Sequence, residues 1–369
     1  MSISRRHFLG LAAGLSVVGP RRLFAAGPDG APRFAACARL PDGSFAAVLI
    51  DDGGRILGSR PLPDRGHEIA IDQTSGRMVA FARRPGSFLA VFEPDFRQAP
   101  RIVAAAQGRT FYGHGAFSPD GKILYATEND YDGQRGVIGL YDVADDFRRI
   151  GEFFSGGVGP HELQLIDGGR TLAIANGGLD TSPEFGRMNL NTAEMKPSLA
   201  LVSTDGGKVL ANHDLGADLS QLSIRHLATD RFGAIWFGCQ HEGPRTELPP
   251  LAGRVSQSGK VELFTLPEEL RVRPRNYIGA VSASGDGETV AFSAPRGNVV
   301  FAFDAASARF AGMSDLADGC GIIRGPGEHD IVGAGGMGDV VSFEFGDKAV
   351  ERREVRKDDL SFDNHLTLL

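Results

Sequence analysis

Histidines recur at one position of a repeated pattern in this sequence, and they are the residues best suited to do chemistry. His67, His114 and His161 each open a segment made of a strand, a glycine-containing turn and a second strand, and the two intervals between them are 47 residues each. His226 and His365 occupy the same position in two further copies. Neutral imidazole is the most common protein ligand for copper, zinc and iron. The pattern therefore predicts a histidine site that several copies build together.

The repeat predicts the fold class. Two more copies carry Ile278 and Cys320 in place of the histidine, and two further strands separate consecutive copies. Four strands in a unit of roughly 40–50 residues are typical of a propeller blade. The last segment, DNHLTLL, supplies a first strand without partners, and residues from 34 onward supply three strands without a first strand. We predict an all-β, seven-bladed β-propeller of four-stranded blades, one domain over residues 27–369, with the ring closed by these two ends.

In a propeller the first strand of each blade lines the central channel, so the repeated residues are expected to form a ring at one mouth. Ile278 and Cys320 complete the ring of five histidines. The second strand runs antiparallel and returns to the same mouth. By alignment it should place the following residues there: Arg39, Arg83, Arg84, Glu128, Asn129, Asn176, Gln240, His241 and Glu242. The long insertion at residues 176–197 is a candidate lid.

The expected width of the channel limits which histidines can share one metal ion. Metal–nitrogen bonds are about 2.0–2.1 Å long, so we predict ligands from neighbouring blades: His67, His114 and His161, with His365 across the closure. Use of all five would need a metal cluster or a bound anion. A purely structural role for the histidines remains the alternative.

Other polar residues near the pattern are assigned to structure. Strand alternation should turn Glu68 and Glu162 away from the channel, which favours a structural role for both. His213 and His329 fall outside the repeat and are expected at the surface. Three cysteines, Cys37, Cys239 and Cys320, form no C-x-x-C pair, and their odd number leaves at least one thiol free or bound to a ligand.

The first residues predict export. Ser4-Arg5-Arg6, followed by a short apolar stretch that ends near Gly19, has the form of a twin-arginine signal, so residues 1–26 are expected to be removed and the protein to reach the periplasm. Loss of the four arginines in that segment would change the formal net charge from −7 to −11. This charge argues against nucleic acid as a partner, and no membrane span is expected in the mature chain.

The segment ANGGLDTSPEFGRMNLNTAEMKPSLALV (175–202), together with GPHEL, RHLATD and the twin-arginine start, resembles a family of exported bacterial propellers catalogued as a domain of unknown function. Its members are often encoded beside imelysin-like and dihaem-oxidoreductase-like proteins of iron acquisition. The resemblance implies a role in iron or copper handling, with periplasmic or membrane-associated metal-uptake proteins as partners. One departure is visible, since Thr181-Ser182-Pro183 stands where the family has Thr-His-Pro.

Three functions follow from these observations. The first is binding of a transition metal, iron or copper, or of a metal complex, at the histidine-lined mouth; nitrous oxide reductase and the selenium-binding-type methanethiol oxidases have similar histidine-lined propellers. The second is a protein-interaction scaffold without chemistry. The third rests on a resemblance of HGAFSPDGKILYATEN to lactonase-type propellers, which implies that His114, Glu128 and Arg83 or Arg84 hydrolyse a lactone.

Overall fold

The computed structural model describes residues 33–346 and 350–369, so the predicted export signal at residues 1–26 lies outside the described residues. The described chain forms seven four-stranded antiparallel sheets arranged as the blades of a propeller. Among these residues no helix is long and apolar enough to cross a membrane.

The strands are numbered along the chain and fall into seven consecutive groups. Blade 1 contains β1 (Phe34–Arg39), β2 (Phe45–Ile50) and β3 (Ile56–Leu62). Blade 2 contains β4 (Gly66–Ile71), β5 (Met78–Ala82), β6 (Phe88–Phe92) and β7 (Arg101–Ala104). Blade 3 contains β8 (Arg109–Phe117), β9 (Ile123–Asp130), β10 (Arg135–Asp142) and β11 (Arg148–Phe154). Blade 4 contains β12 (Pro160–Ile166), β13 (Thr171–Asn176), β14 (Ser198–Ser203) and β15 (Val209–Asp214).

The second half of the ring follows the same order. Blade 5 contains β16 (Leu222–Thr229), β17 (Ile235–His241), β18 (Ala252–Val255) and β19 (Val261–Phe264). Blade 6 contains β20 (Ala280–Ala283), β21 (Thr289–Ala294), β22 (Val299–Asp304) and β23 (Phe310–Asp315). Blade 7 contains β24 (Gly319–Arg324), β25 (Asp330–Gly335), β26 (Asp339–Phe345) and β27 (Val350–Lys357). Short 3₁₀ turns lie at Asp167–Gly169, Pro183–Phe185, Ala217–Leu219, Glu268–Leu270 and Pro295–Gly297.

The last strand closes the ring as predicted. β28 (Ser361–Leu368) pairs antiparallel with β1 and becomes the innermost strand of blade 1. The innermost strands β28, β4, β8, β12, β16, β20 and β24 contact one another in succession around the channel. Closure by both chain ends removes the free sheet edge that an open ring would expose.

Burial falls from the channel side of each blade to its rim. The second and third strands carry runs such as Met78–Ala82 and Phe88–Phe92, whose residues are all buried, because both faces of a blade pack against neighbouring blades. The fourth strands are half-buried to exposed, from Val261–Phe264 to Val350–Lys357. The apolar core therefore lies between the blades and holds the inner strands in fixed positions around the channel.

A bulge interrupts the innermost strand of every blade except blade 6. The register between first and second strands shifts at Gly66/Ile69, Phe111/Gly115, Pro160/Glu162, Ile224/His226 and Gly319/Gly321, and the β28 pairing shifts between Ala36 and Ala38. Blade 6, in which Ile278 takes the repeat position, pairs without a shift. A bulge inserts extra residues into one strand and re-aims their side chains. The bulges therefore coincide with the blades that carry a polar residue at the repeat position.

Candidate functional site

Five imidazole rings, each from a different blade, converge in the channel. His114 lies at the centre of the group, with its ring centroid 4.7 Å from those of His67 and His365, 4.8 Å from His161 and 5.8 Å from His226. Among the other four rings, the centroid distances between neighbours run from 4.7 Å for His161–His226 to 5.7 Å for His67–His161. The rings thus form a compact group that reaches across the channel, and are not spread around a wide ring.

Glycine at position 113 allows this close packing. Gly113 has a φ of +113°, and a side chain on it would collide with the ring of His67. It lies in the β8 bulge, where Tyr112, Gly113 and His114 together oppose a single residue of β9. The bulge and the missing side chain let His67 and His114 lie ring against ring.

Several imidazole nitrogens are buried without a hydrogen-bond partner in the described part of the chain. They are both nitrogens of His67, Nε2 of His114, Nδ1 of His161 and Nε2 of His365. A buried polar atom without a partner costs about 1–3 kcal/mol. This number of unpartnered nitrogens in one place indicates a site arranged for an electrophilic ligand and argues against purely structural histidines.

Two carboxylates orient two of the rings, and here the prediction from strand alternation is wrong. Glu68 Oε2 lies 3.0 Å from Nδ1 of His114, and Glu162 Oε2 lies 2.8 Å from Nδ1 of His226. The bulges break the alternation on which the prediction rested, so each glutamate reaches a histidine of the next blade. A carboxylate that accepts from Nδ1–H leaves Nε2 free as a ligand and increases its basicity. In His114 that Nε2 is one of the unpartnered atoms.

The nitrogens group into two overlapping triads that can hold a metal ion. One triad is His67, His114 and His161, and the other is His114, His226 and His365; within each, the potential ligand atoms lie within 4.8 Å of one another. Three nitrogens that share one ion through bonds of about 2.1 Å lie about 3.6 Å apart when they surround it evenly, so nitrogens 4.8 Å apart must each move inward by about 0.7 Å to bind it. The predicted ligands fall into both triads, and His226 joins them because the rings meet across the channel.

Four of the five histidines are held in the neutral form that binds metal. Burial, and after it repulsion between neighbouring imidazolium forms, lowers the pKa well below the usual 6.5 for His67, His161, His226 and His365. Burial also raises the pKa of Glu162, assisted by the negative charge of Glu68.

These pKa shifts predict a loss of stability on acidification of the metal-free protein. Below pH 6.5 the unfolded chain binds protons at these histidines and the folded chain does not. The free energy of unfolding therefore decreases as the pH is lowered, by up to about 1.4 kcal/mol per pH unit for each histidine. Denaturant titrations between pH 7.5 and 5 measure this slope. The variant His67→Gln/His161→Gln should show a shallower slope, and an equal slope in both proteins would contradict the prediction.

The cysteines remain outside the histidine group. Burial raises the pKa of Cys320 to about 12, and its Sγ donates to the carbonyl of Gly279 and accepts from Asn364. Burial likewise raises the pKa of Cys37, which lies next to Gly66. Both thiols therefore stay protonated at neutral pH and supply no thiolate ligand.

A polar cavity of about 350 Å³, counting the part open to solvent, lies over the histidines. Its lining comprises His67, His161, His226, Arg83, Arg84, Arg187, Arg225, Tyr112, Tyr277, Gln240 and Asn364. A second cavity of about 770 Å³ shares Arg83, Arg187, Tyr277 and Asn364 with it and extends to Cys320. The mouth is thus an outer chamber that leads to an inner one above the rings.

Some predicted mouth residues do not reach this cavity. The side chain of Glu128 points away from the channel and packs against Gly139, where a side chain would not fit. Its carboxylate lies 2.7 Å from Arg149 and accepts a hydrogen bond from the Tyr141 hydroxyl at 2.6 Å. Strand alternation sends its side chain to the blade interior, away from the channel. The lactonase-like arrangement of His114 with a free Glu128 carboxylate is therefore absent from the described residues.

Three other predicted residues have structural or peripheral positions. Asn176 is buried and exchanges hydrogen bonds with Ser155. His241 lies 3.2 Å from Glu247 and lines a separate surface groove. Arg39 is exposed and lines neither chamber.

The insertion at residues 176–197 does cover part of the mouth. Arg187, at its tip, lines both chambers. Thr181 anchors the segment, since its hydroxyl lies 3.3 Å from the Tyr112 hydroxyl and its carbonyl accepts from Asn129 at 2.7 Å. Ser182, which stands at the position of the family's histidine, lies directly after this anchor, and the residue that the insertion contributes to the two chambers is Arg187.

Sequence reasoning missed Arg225, Tyr112, Tyr277 and Asn364, which line the inner chamber. Arg225 is only 2% exposed and is the extra residue in the β16 bulge, directly before His226. The sequence signal that could have indicated Arg225 is its position directly before the repeat histidine in RHLATD. Strand alternation, however, would place this arginine on the face opposite to His226.

The fold and the site define the class of this protein as a seven-bladed β-propeller with a histidine group in its channel. The chain belongs to the family described as a protein of unknown function (DUF1513), whose model matches residues 60–369. A comparison with curated proteins finds no match.

Solved structures with the same fold differ widely in sequence. Hydrazine synthase of Kuenenia stuttgartiensis is similar at a TM-score of 0.62 and 12% identity, covering 90% of this chain and 99% of the other. The β-propeller domain of Cps50 (Swd1) from Myceliophteria thermophila is similar at a TM-score of 0.57 and 11% identity, covering 84% and 95% of the two chains. At these identities the likeness concerns the fold alone.

Proposed function

We propose that this protein binds one transition-metal ion, iron or copper, at the histidine group in the propeller channel and serves in metal acquisition in the periplasm. The observation that supports it is the convergence of five imidazoles, which include five buried nitrogens without a protein partner in the described chain. An all-nitrogen donor set suits copper, iron and zinc. Glu68 and Glu162 supply the outer carboxylates that commonly accompany metal-binding histidines.

The geometry favours a single ion in the site. His114 belongs to both triads, and its Nδ1 is held by Glu68, so only its Nε2 is free to bind. Two ions cannot both use that nitrogen. The expected stoichiometry is therefore one ion per chain, in either triad.

Export to the periplasm is part of the proposal. The twin-arginine start supports it, because that route carries folded proteins, including those that acquire a metal before crossing. The resemblance to exported propellers encoded near imelysin-like proteins supports metal-uptake proteins of the periplasm or its membranes as partners.

Metal reconstitution tests this function. The mature protein is treated with a chelator, reloaded separately with Cu²⁺, Fe²⁺ or Zn²⁺, desalted and analysed for metal content, and the bound ion is examined by X-ray absorption spectroscopy. We expect about one ion of copper or iron per chain, with nitrogen ligands at about 2.0 Å. His213→Gln and His329→Gln, which alter surface histidines, should retain the metal. Retention of less than a tenth of an equivalent of every ion, or a shell without histidine nitrogen, would refute the proposal.

A further inference from the structure

Four guanidinium groups surround the inner chamber above the histidines. Arg83, Arg84, Arg187 and Arg225 line it, and among the described residues the lining contains no aspartate or glutamate. The remaining lining is neutral, since Tyr112, Tyr277, Gln240 and Asn364 carry no charge and the lining histidines are held unprotonated. The chamber is thus strongly positive, in contrast to the net negative charge of the whole chain.

Nearby acids neutralise this charge only in part. Asp363 approaches Arg83 at 3.9 Å but makes its close contact, 2.7 Å, with Arg65. Glu242 approaches Arg225 at 3.5 Å. Neither carboxylate lines the inner chamber, so the two contacts are made at its edge and leave the inward-facing guanidinium surface open.

Two of the arginines have donors that no described residue satisfies. Nε of Arg225 and a terminal nitrogen of Arg84 are buried without a hydrogen-bond partner, and Arg225 is 2% exposed. Repulsion between the two groups, after burial, contributes to a lowered pKa for Arg84. Buried charges are normally paired. Unpartnered buried donors on two neighbouring arginines, Arg225 buried and Arg84 half-buried, therefore indicate a missing anion.

We propose that the inner chamber is an oxyanion site, in which Arg84 and Arg225 bind a carboxylate or phosphate group of a small ligand directly above the histidines. Guanidinium groups match these oxyanions in shape and charge and bind them through paired N–H donors. Arg83 and the lid residue Arg187 extend the site into the outer chamber, which has room for the rest of the ligand. A ligand with two or more acidic groups fits this array of positive charges best.

The site does not depend on the metal, because all of its arginines are positioned by the propeller and the lid. A bound dication would add positive charge below the chamber and strengthen anion binding. Conversely, an anion here would offset the charge of the ion and cover it from solvent.

Calorimetric titration of the chelator-treated, metal-free protein tests the proposal. Citrate and inorganic phosphate are titrated separately, with acetate as the probe of a single carboxylate. We expect citrate or phosphate to bind with a dissociation constant below about 1 mM, at least ten times more tightly than acetate, and more weakly as salt increases. Tighter binding of citrate would identify the natural ligand as a polycarboxylate, and tighter binding of phosphate would identify it as a phosphate compound.

Substitutions locate the binding. Arg225→Gln and, separately, Arg84→Gln should each weaken the tighter anion at least tenfold, whereas Arg170→Gln, at the turn that follows the far end of β12, should bind it as the wild type does. Circular dichroism checks that each variant is folded. If Arg225→Gln does not fold, Arg84→Gln alone tests the site.

Two results would overturn the oxyanion site: no binding of citrate or phosphate at 10 mM, or equal affinity in the wild type and in the folded arginine variants. Both are independent of the metal proposal. A protein without metal affinity can still bind the anion, and His114→Gln, which removes an imidazole and no arginine, should retain the anion while losing the metal.

Discussion

Replacing His114 with glutamine is expected to lower the affinity for the metal ion at least about 100-fold. His114 belongs to both triads, its ring lies within 4.7–5.8 Å of the other four, and Glu68 orients it for binding through Nε2. Loss of an outer carboxylate alone typically costs 10–100-fold in metal affinity, and loss of the ligand it supports should cost at least as much. Competition titration against a chromophoric chelator measures the affinity.

The comparison with His67→Gln makes this prediction specific. That variant leaves His114, His226 and His365 as an intact triad, so a loss of about tenfold or less is expected. His213→Gln serves as the control for a histidine outside the channel. Equal losses in His114→Gln and His67→Gln would contradict the central role of His114, and the ion would then be held by a different set of ligands.

The second large effect concerns stability. Arg149→Met should lower the free energy of unfolding by about 3 kcal/mol, because Glu128 is 1% exposed and would lose its closest positive partner, 2.7 Å away. Tyr141 would remain as its hydrogen-bond donor but cannot neutralise the charge. Guanidinium chloride denaturation measures the change.

The matched control for Arg149→Met is a substitution of the neighbouring arginine, Arg148. Arg148 pairs with Asp145 at the surface, where both side chains are more than half exposed, so Arg148→Met should change stability little. Similar denaturation curves for the two variants would show that the buried pair does not stabilise blade 3. A clear difference would assign Glu128 to the structure of the blade rather than to chemistry at the mouth.

Much of the architecture was accessible from the sequence because propeller blades repeat their hydrogen bonding. The spacing of His67, His114 and His161 reports the blade period, and the unpaired first strand at the C-terminus complements the unpaired strands that begin at Phe34. Each of these signals is local in sequence. The closure follows from the requirement that no edge strand remains exposed.

The neighbours of the histidines were less accessible. Alternation assigned Glu68 and Glu162 to the wrong side, because it treats each innermost strand as regular. Bulges shift this assignment by one or more residues, and no residue type at these positions announces them. Arg225 was missed for the same reason. Glu128 was expected at the mouth because it lies near the end of a second strand, but alternation along that strand turns its side chain away from the channel.

The sequence by itself determined the number of blades, the closure and the recurrence of histidine at one blade position, since all three depend on periodicity along the chain. Only the tertiary structure decided that five imidazoles meet around His114, that two glutamates orient them and that arginines from the blades and the insertion cover them. The physical reason is that residues far apart in sequence meet at the axis, where bulges and close glycine packing set side-chain directions that no local pattern encodes.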